Sequence, residues 1–383
     1  MLQAFLLLFL LCGHFSPDTL AVMSWNLENF FDWTDGGTGE SDTEFSARGS
    51  RHWTRKKFEA KARAIGKTVV WAGEEAGCLP DIIAVQEVEN AFVLRRLIDR
   101  SVLRKLDYAF VHFESPDRRG IDVGLLYRST TLSLVHAVAL PVRAAAPKNG
   151  PRRAFQPPSR SSAELLDTLF TRDILLAQLE DAGGRRLSVL VCHFPAKCGG
   201  GDSDWRREAA AHRLRAIADS LHAAGEQRIL AIGDFNDTPD SPVFRLLTQA
   251  GASASSADDR TEDSEIAGSS SADDRTENRG IAGLSSTEPA GKPAGPPLVN
   301  LAEPLSRRGT GTIRFEGRWQ LIDQAFVSAG LAPSCTLSIL HPPFLTAHDN
   351  VHSGDKPLRT YSGPRYLGGV SDHRPLLLLI RSP

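Results

Sequence analysis

The chain has 383 residues, 41% of them hydrophobic and 23% charged, with a formal net charge of -2. That composition supports one large core or two modest ones, and it supplies no global basic field of the kind that holds nucleic acid non-specifically, although local patches can still steer it. The five cysteines (Cys12, Cys78, Cys192, Cys198 and Cys335) include no C-x-x-C pair, which argues against a structural zinc site; a bridge between Cys192 and Cys198 competes with the commoner fate of buried free thiols.

Residues 2–12 form an apolar run. It is too short for a stable bilayer span and fits the apolar part of a secretory signal peptide over residues 1–19. No Lys or Arg precedes it and no small-x-small cleavage site follows. Export, periplasmic or extracellular, is the expectation, with a cytoplasmic chain folding from about Leu20 as the alternative. From Leu20 onward, short apolar runs at 20–25, 81–86, 108–113, 123–127, 187–193, 228–233, 321–327 and 376–380 read as strands. Several are apolar at consecutive positions, which predicts burial on both faces. Helices are predicted over 55–70, where Phe58, Ala62, Ile65 and Val69 recur at three-to-four spacing, and over 205–221, where Asp202, Ser203 or Asp204 can cap. Strands mixed with helices along the whole chain predict sheets covered by helices, not an all-α bundle.

Residues 251–297 differ: they are rich in Ser, Ala, Gly, Asp and Pro, and Ser255–Glu262 recurs almost unchanged at Ser270–Glu277. Such a segment cannot offset its ordering entropy by burial, so it reads as a disordered insertion within one domain spanning 20–383. A calcium-loop reading of Asp258-Asp259 and Asp273-Asp274 lacks the alternating ligand spacing such loops need.

The chemistry lies at strand ends. Asn26 and Glu28 follow the first strand; Glu87, His193, Asp234 and Asn236 end later ones; Asp323 sits in Leu321-Ile322-Asp323-Gln324 and Asp372-His373 precede the last. A lone polar residue after a strand is usually a turn former, but six such endings can converge on one rim. Phosphoester hydrolysis needs that set: oxygen ligands for a hard cation, a carboxylate and an amide to orient water, and imidazoles to donate near neutral pH.

The strings Asn26-Leu27-Glu28, Gln86-Glu87-Val88, Cys192-His193-Phe194, Gly233-Asp234-Phe235-Asn236-Asp237 and Ser371-Asp372-His373-Arg374-Pro375, in this order, resemble the endonuclease/exonuclease/phosphatase superfamily. Ser115–Val123, His193-Phe194-Pro195-Ala196-Lys197 and Gly317-Arg318-Trp319 resemble its bacterial, often exported, endonuclease-like branch. The resemblance implies an α+β fold, a four-layer α/β sandwich of two facing mixed sheets flanked by helices with the site at one rim. It implies a hydrolase using Mg²⁺ (or Mn²⁺ or Ca²⁺), held by Glu87 with Asn26 and Asp372. Asp234 then positions or deprotonates the attacking water, Asn236 orients water or phosphate, Asp323 fixes His373 against the scissile phosphate, and His193 is the general-acid candidate.

Glu28, Glu114 and Asp122 are further metal-binding or orienting candidates: Glu28 stands where aspartate is common, Glu114 is aligned to orient His193, and Asp122 is alternatively a structural carboxylate bonded to Arg118 or Arg128. Lys197 and Arg206 are candidate phosphate contacts, with Arg207 beside them; a solvated surface is the competing reading. His348 and His352 lie among Pro342, Pro343 and Gly354, which speaks against a helical metal pair, and His52 reads as basic surface. The expected substrate is a phosphate ester, with nucleic acid favoured over lipid or inositol phosphates, cleaved by a monomer. A catalytically silent binding protein on the same scaffold is the different-class alternative. An apolar hairpin at Phe30-Phe31-Asp32-Trp33 is the one feature read as compatible with a lipid substrate.

Overall fold

The computed structural model describes residues 19–34, 36–37, 39–143, 169, 171–197, 204–249 and 295–381. The leader, Cys198, most of the duplicated segment and the Asp202 and Ser203 capping candidates lie outside these residues. In chain order the strands are β1 (Thr19–Phe30), β2 (Ile82–Val88), β3 (Tyr108–His112), β4 (Asp122–Arg128), β5 (Leu132–Leu140), β6 (Ile174–Asp181), β7 (Arg186–His193), β8 (Ile229–Asp234), β9 (Leu298–Asn300), β10 (Ile313–Phe315), β11 (Arg318–Gln320), β12 (Asp323–Ser328), β13 (Cys335–Ile339), β14 (Thr346–His348), β15 (Asp355–Pro357), β16 (Tyr361–Ser362), β17 (Arg365–Tyr366) and β18 (Leu376–Arg381). The longer helices are α1 (Arg55–Ala76), α2 (Ala91–Asp99) and α3 (Asp204–Ala223).

Two six-stranded sheets carry the fold, ordered β13-β18-β1-β2-β4-β3 and β5-β6-β7-β8-β12-β9. Each is antiparallel apart from one parallel pair, β1 with β2 and β7 with β8. The inner faces meet through Val22, Ile82, Ala84, Leu125, Val189, Val191, Leu230 and Ile232. The outer face of the first sheet, with Met23, Trp25 and Val85, packs on Phe58, Ile65 and Val69 of α1 and Val93 and Leu97 of α2. The outer face of the second, with Leu190, Cys192 and Ala231, packs on Leu214, Ile217 and Leu221 of α3. These are the four layers expected. Because both sheet faces are covered, successive residues through the centre of β1, from Leu187 on in β7 and throughout β8 are buried, which is why those strands read as largely apolar runs.

Local signals fix the helices. Thr54 accepts from the Lys57 amide at the start of α1, and Gly77 closes it at φ 74, a left-handed conformation glycine adopts without strain. Asn90 caps α2 through Val93 N. At the late edge of the low-complexity stretch, Gly295 is tied to α3: its amide donates to Asp219 Oδ1 and its carbonyl accepts from Arg215. Phe30 and Phe31 are fully buried, stacked on Phe58 and Phe45 at 4.7 and 5.0 Å. The exposed apolar hairpin read at these residues is therefore corrected: their rings belong to the core. No helix among the described residues is long and apolar enough to cross a membrane.

Candidate active site

The parallel pair of each sheet delivers its carboxyl ends to one rim. In the second sheet, cross-strand register places His193 opposite Asp234 and Asp234 opposite Asp323, so three predicted residues form one row. In the first, Asn26 pairs with Gln86 and Glu87 follows immediately. Both sheets end in unusual backbone: Glu28, Glu87 and Asn236 have φ of 46, 58 and 52°, and Asn29 has 55°. Left-handed conformations in non-glycine residues cost energy and cluster where side chains must be aimed. Gly233, at φ 148°, allows β8 to lie against β7, since a Cβ there would sit 2.0 Å from Cys192 O.

A hydrogen bond joins the two sheets at this rim: Asn26 Nδ2 donates to Asp234 Oδ2 at 2.9 Å, while Asn26 Oδ1 accepts from Glu28 N. Asp234 Oδ1 accepts from Asn236 N at 2.9 Å, and Asn236 Nδ2 donates to Phe194 O. His373 Nδ1 lies 2.8 Å from Asp323 Oδ2, and its Nε2 is 3.9 Å from Asp234. The His373 backbone is fixed as well, its carbonyl accepting from Trp25 Nε1 and its amide donating to Ser371 Oγ, whose hydroxyl donates to Asn26 O.

Electrostatics separate the two histidines. Burial draws His373 down, but the charges of Asp323, Asp234 and Asp372 and the Asp323 hydrogen bond raise it well above its usual value, which favours the imidazolium. His193 is pushed well below, by burial and by the charges of Arg172, Arg119 and His373, so it is neutral. Its Nε2 is 3.6 Å from Asp234 Oδ2 and its buried Nδ1 has no partner. Asp234 is raised to about 7 by burial and by Asp323, against the lowering influence of His373.

Asp234, Asp323 and His373 are close enough together to hold an ion, but the short His373–Asp323 bond makes them a carboxylate–imidazole relay instead. A second acidic group lies beside them. Glu87 and Asp372 each face a guanidinium, Arg119 at 3.5 Å and Arg359 at 3.1 Å, and buried Lys61 feels the charges of Glu28, Glu87 and Asp372 together. Glu28, Glu87 and Asp372 thus share one electrostatic neighbourhood around Lys61, and carboxylate oxygens are the ligands a hard divalent ion takes. Glu28 itself is engaged: Oε1 accepts from Arg359 Nε and Oε2 from Thr360 N, and burial together with Asp372 raises it to about 7. It anchors the Arg359 side chain and the Thr360 backbone; Glu87 Oε2 also accepts from Asn29 N at 2.8 Å, and Asp372 pairs with Arg359.

Other predicted residues lie elsewhere. Glu114 forms no hydrogen bond or ion pair with His193 among the described residues; it faces His112. Asp122 is a buried carboxylate, but it accepts from Ser115 N and Oγ and lies beside His112; Arg118 pairs with Glu40 and Arg128 with Asp81. That corrects both expected partners. Lys197 is paired with Asp237, and Arg207 is buried against Asp237 and Asp204, which removes it from substrate contact. Arg206 is exposed and stacked on Trp205. Buried Cys192 has its thiol pushed up by burial.

Sequence reasoning missed Arg119, Arg172, Arg359 and Lys61 as site residues. Arg172 donates to Phe194 O and pairs with Asp117, both at 2.8 Å. Arg119 lay within a string already singled out; Arg172 and Arg359 sit in irregular segments with no periodic signal.

A two-sheet rim carrying an acidic cation pocket beside a carboxylate–imidazole relay defines a phosphoester hydrolase. The chain belongs to the Endonuclease/Exonuclease/phosphatase family, whose model matches residues 21–261 and 245–382; dependence on divalent metal is general in that family. Among solved structures it is similar to the human nocturnin catalytic domain with bound sulfate (15% identity over 96% of this chain and 95% of that one, TM-score 0.48). It is also similar to a humanized D. rerio TDP2 (14%, 95% and 99%, 0.47) and to the Bacteroides thetaiotaomicron mannosyl-6-phosphatase Bt3783 (14%, 94% and 99%, 0.48). No curated protein matches the chain.

Proposed function

We propose that the chain is a Mg²⁺-dependent phosphodiesterase that acts on nucleic acid in the manner of an endonuclease. The observation that carries the reading is the placement of Asp234 between Asn26 Nδ2 at 2.9 Å and two imidazoles at 3.6 and 3.9 Å. Asp234, at about 7, is poised to orient and deprotonate a water, with Asn236 beside it. The His373 imidazolium, held by Asp323, offers Nε2–H to a phosphoryl oxygen. Neutral His193 contributes a hydrogen-bond donor to the leaving oxygen and no resting positive charge. A divalent ion at Glu87, Asp372 and Asn26 supplies charge neutralisation on the phosphoryl group when bound.

Exposed Arg119 and Arg359, flanking that pocket, and Arg206 on the adjacent helix favour an extended polyanion over a small headgroup. The resemblance of Ser115–Val123 to the endonuclease-like branch points the same way. The apolar run at residues 2–12 supports export, which N-terminal sequencing of the mature protein tests directly.

The deciding experiment incubates the full chain with supercoiled plasmid, a lipid phosphodiester and inositol phosphates, with Mg²⁺ and with chelator. Nicking that needs Mg²⁺ is expected. Turnover of lipid or inositol phosphate without nicking replaces the substrate, and a folded chain inert on all three removes the enzyme reading.

A further inference from the structure

A second cluster of ligand-type side chains lies where the two sheets meet, at the ends of β3, β4 and β6. His112 ends β3, Asp122 opens β4, Glu114 is two residues past His112, and Asp173 immediately precedes β6. Donor atoms of His112, Glu114 and Asp122 all fall within 4.8 Å of one another. The His112 side chain is only 2% exposed, and its Nε2 lies 3.2 Å from Asp122 Oδ2 yet makes no hydrogen bond. Its Nδ1 is 3.9 Å from Glu114 Oε1. Asp122 uses its other oxygen, Oδ1, for Ser115, so Oδ2 is open towards the imidazole. Asp173 lines the same narrow cleft as Asp122, Ser115 and Phe113, and its buried Oδ1 also has no partner.

We propose that His112, Glu114 and Asp122 form a second metal site, distinct from the catalytic pocket, that takes a divalent transition ion of the Zn²⁺ class, with the Asp173 carboxylate facing it across the cleft. The donor set decides the ion. An imidazole nitrogen with carboxylate oxygens suits Zn²⁺, whereas Mg²⁺ prefers an all-oxygen shell with retained waters. A plain His112–Asp122 ion pair accounts for Nε2 but leaves the approach of Glu114 to Nδ1 and the unpartnered Asp173 Oδ1 unexplained.

The position gives the site a consequence. The segment between His112 and Asp122 carries Asp117, which pairs with Arg172, and Arg119, which faces Glu87. An ion held at both ends of that segment fixes it against β6, and so fixes two arginines that border the catalytic rim. The site does not depend on which ester the enzyme cleaves.

The test is direct Zn²⁺ binding by calorimetry and metal analysis on the full chain carrying Glu87→Gln and His373→Ala, which remove the carboxylate pocket and the Asp234–Asp323–His373 cluster as competing sites. One Zn²⁺ per chain is expected to remain, undisplaced by excess Mg²⁺, and to raise Tm. Adding Glu114→Gln, whose side chain is 73% exposed and not needed for folding, should weaken that binding by about tenfold or more. Adding His112→Gln should abolish it, and Co²⁺ in place of Zn²⁺ should lose its imidazole-type visible absorption in the same variant. Absence of a remaining Zn²⁺, or binding unchanged by both substitutions, overturns the proposal and leaves His112–Asp122 as a loop-holding pair.

Discussion

Asn26 Nδ2 and Asp234 Oδ2, 208 residues apart in sequence, lie 2.9 Å from each other and join the carboxyl ends of the two parallel strand pairs. The bond does two things at once. It ties the rim of one sheet to the rim of the other, and it takes one lone pair of the candidate base, leaving Asp234 a restricted set of directions in which to accept a proton. Asn26→Ala should therefore lower turnover more than substrate affinity, on the order of 10²-fold, the loss typical of one well-placed polar group. Steady-state kinetics on a chromogenic phosphodiester separate the two; a change confined to KM would show that Asn26 only binds.

The Asp323–His373 pair predicts non-additive losses. His373 is charged because Asp323 holds Nδ1 at 2.8 Å. Asp323→Asn removes the largest of the charges that raise the imidazole and so lowers it towards its ordinary range. Turnover should fall by about 10²–10³-fold. The double variant with His373→Ala should be no worse than His373→Ala alone, because the two act as one unit. Independent, multiplying losses would separate their roles.

Asp234 sets the acid limb of the pH profile. Its folded value is raised to about 7 by burial and Asp323, and the base form is the active one. Activity should climb as pH rises towards 7, with the inflection moved lower at saturating Mg²⁺ because a nearby cation favours the carboxylate. Asp234→Asn should lose most turnover and the limb together. A limb that survives in the residual activity would belong to another group.

How far the sequence carried this site follows from where each residue sits. Asn26, Glu87, His193 and Asp234 end buried strands, so the apolar run before each one marks it, and strand register then brings them to one rim. The layered fold was legible for the same reason. Within the two main sheets β5, β6, β9 and β13 were missed: β5, β9 and β13 are edge strands with exposed positions, and β6 is the inner neighbour of β5. Arg172 and Arg359 were invisible because their partners, Phe194 O, Asp117, Glu28 and Asp372, are brought to them only by tertiary folding. Glu114 was aligned to the wrong histidine, since His112 on the same strand end is nearer than His193 on the other sheet.

With the ion proposed at Glu87 and Asp372, Arg119 and Arg359 would compete for the same carboxylates. Each guanidinium faces a carboxylate of the cation pocket, Glu87 or Asp372. Arg119→Ala should lower the Mg²⁺ concentration needed for half-maximal activity, because the ion no longer displaces a bound cation, and should raise KM for a polyanionic substrate. Mg²⁺ titration at fixed substrate checks the first effect and plasmid dilution the second. An unchanged or higher Mg²⁺ requirement would place Arg119 among the groups that support the ion.

A buried carboxyl outside the site predicts how stability varies with pH. Glu89 is raised to about 8 by burial, by Asp32 and by the Asp42 carboxyl beside it, and its Oε2 accepts from Asp32 N at 2.6 Å. The folded state thus binds a proton that the unfolded chain releases near pH 4.5. Between that value and about 8 the native state holds more protons, so this group's contribution falls as pH rises. Glu89→Gln keeps the shape and removes the titration. Thermal unfolding at pH 5.5 and 8.5 should show a smaller loss of Tm across the interval in Glu89→Gln than in the unaltered chain. Parallel Tm curves would mean that Glu89 ionises at the same pH in both states, and that the Asp42–Glu89 contact stores no proton.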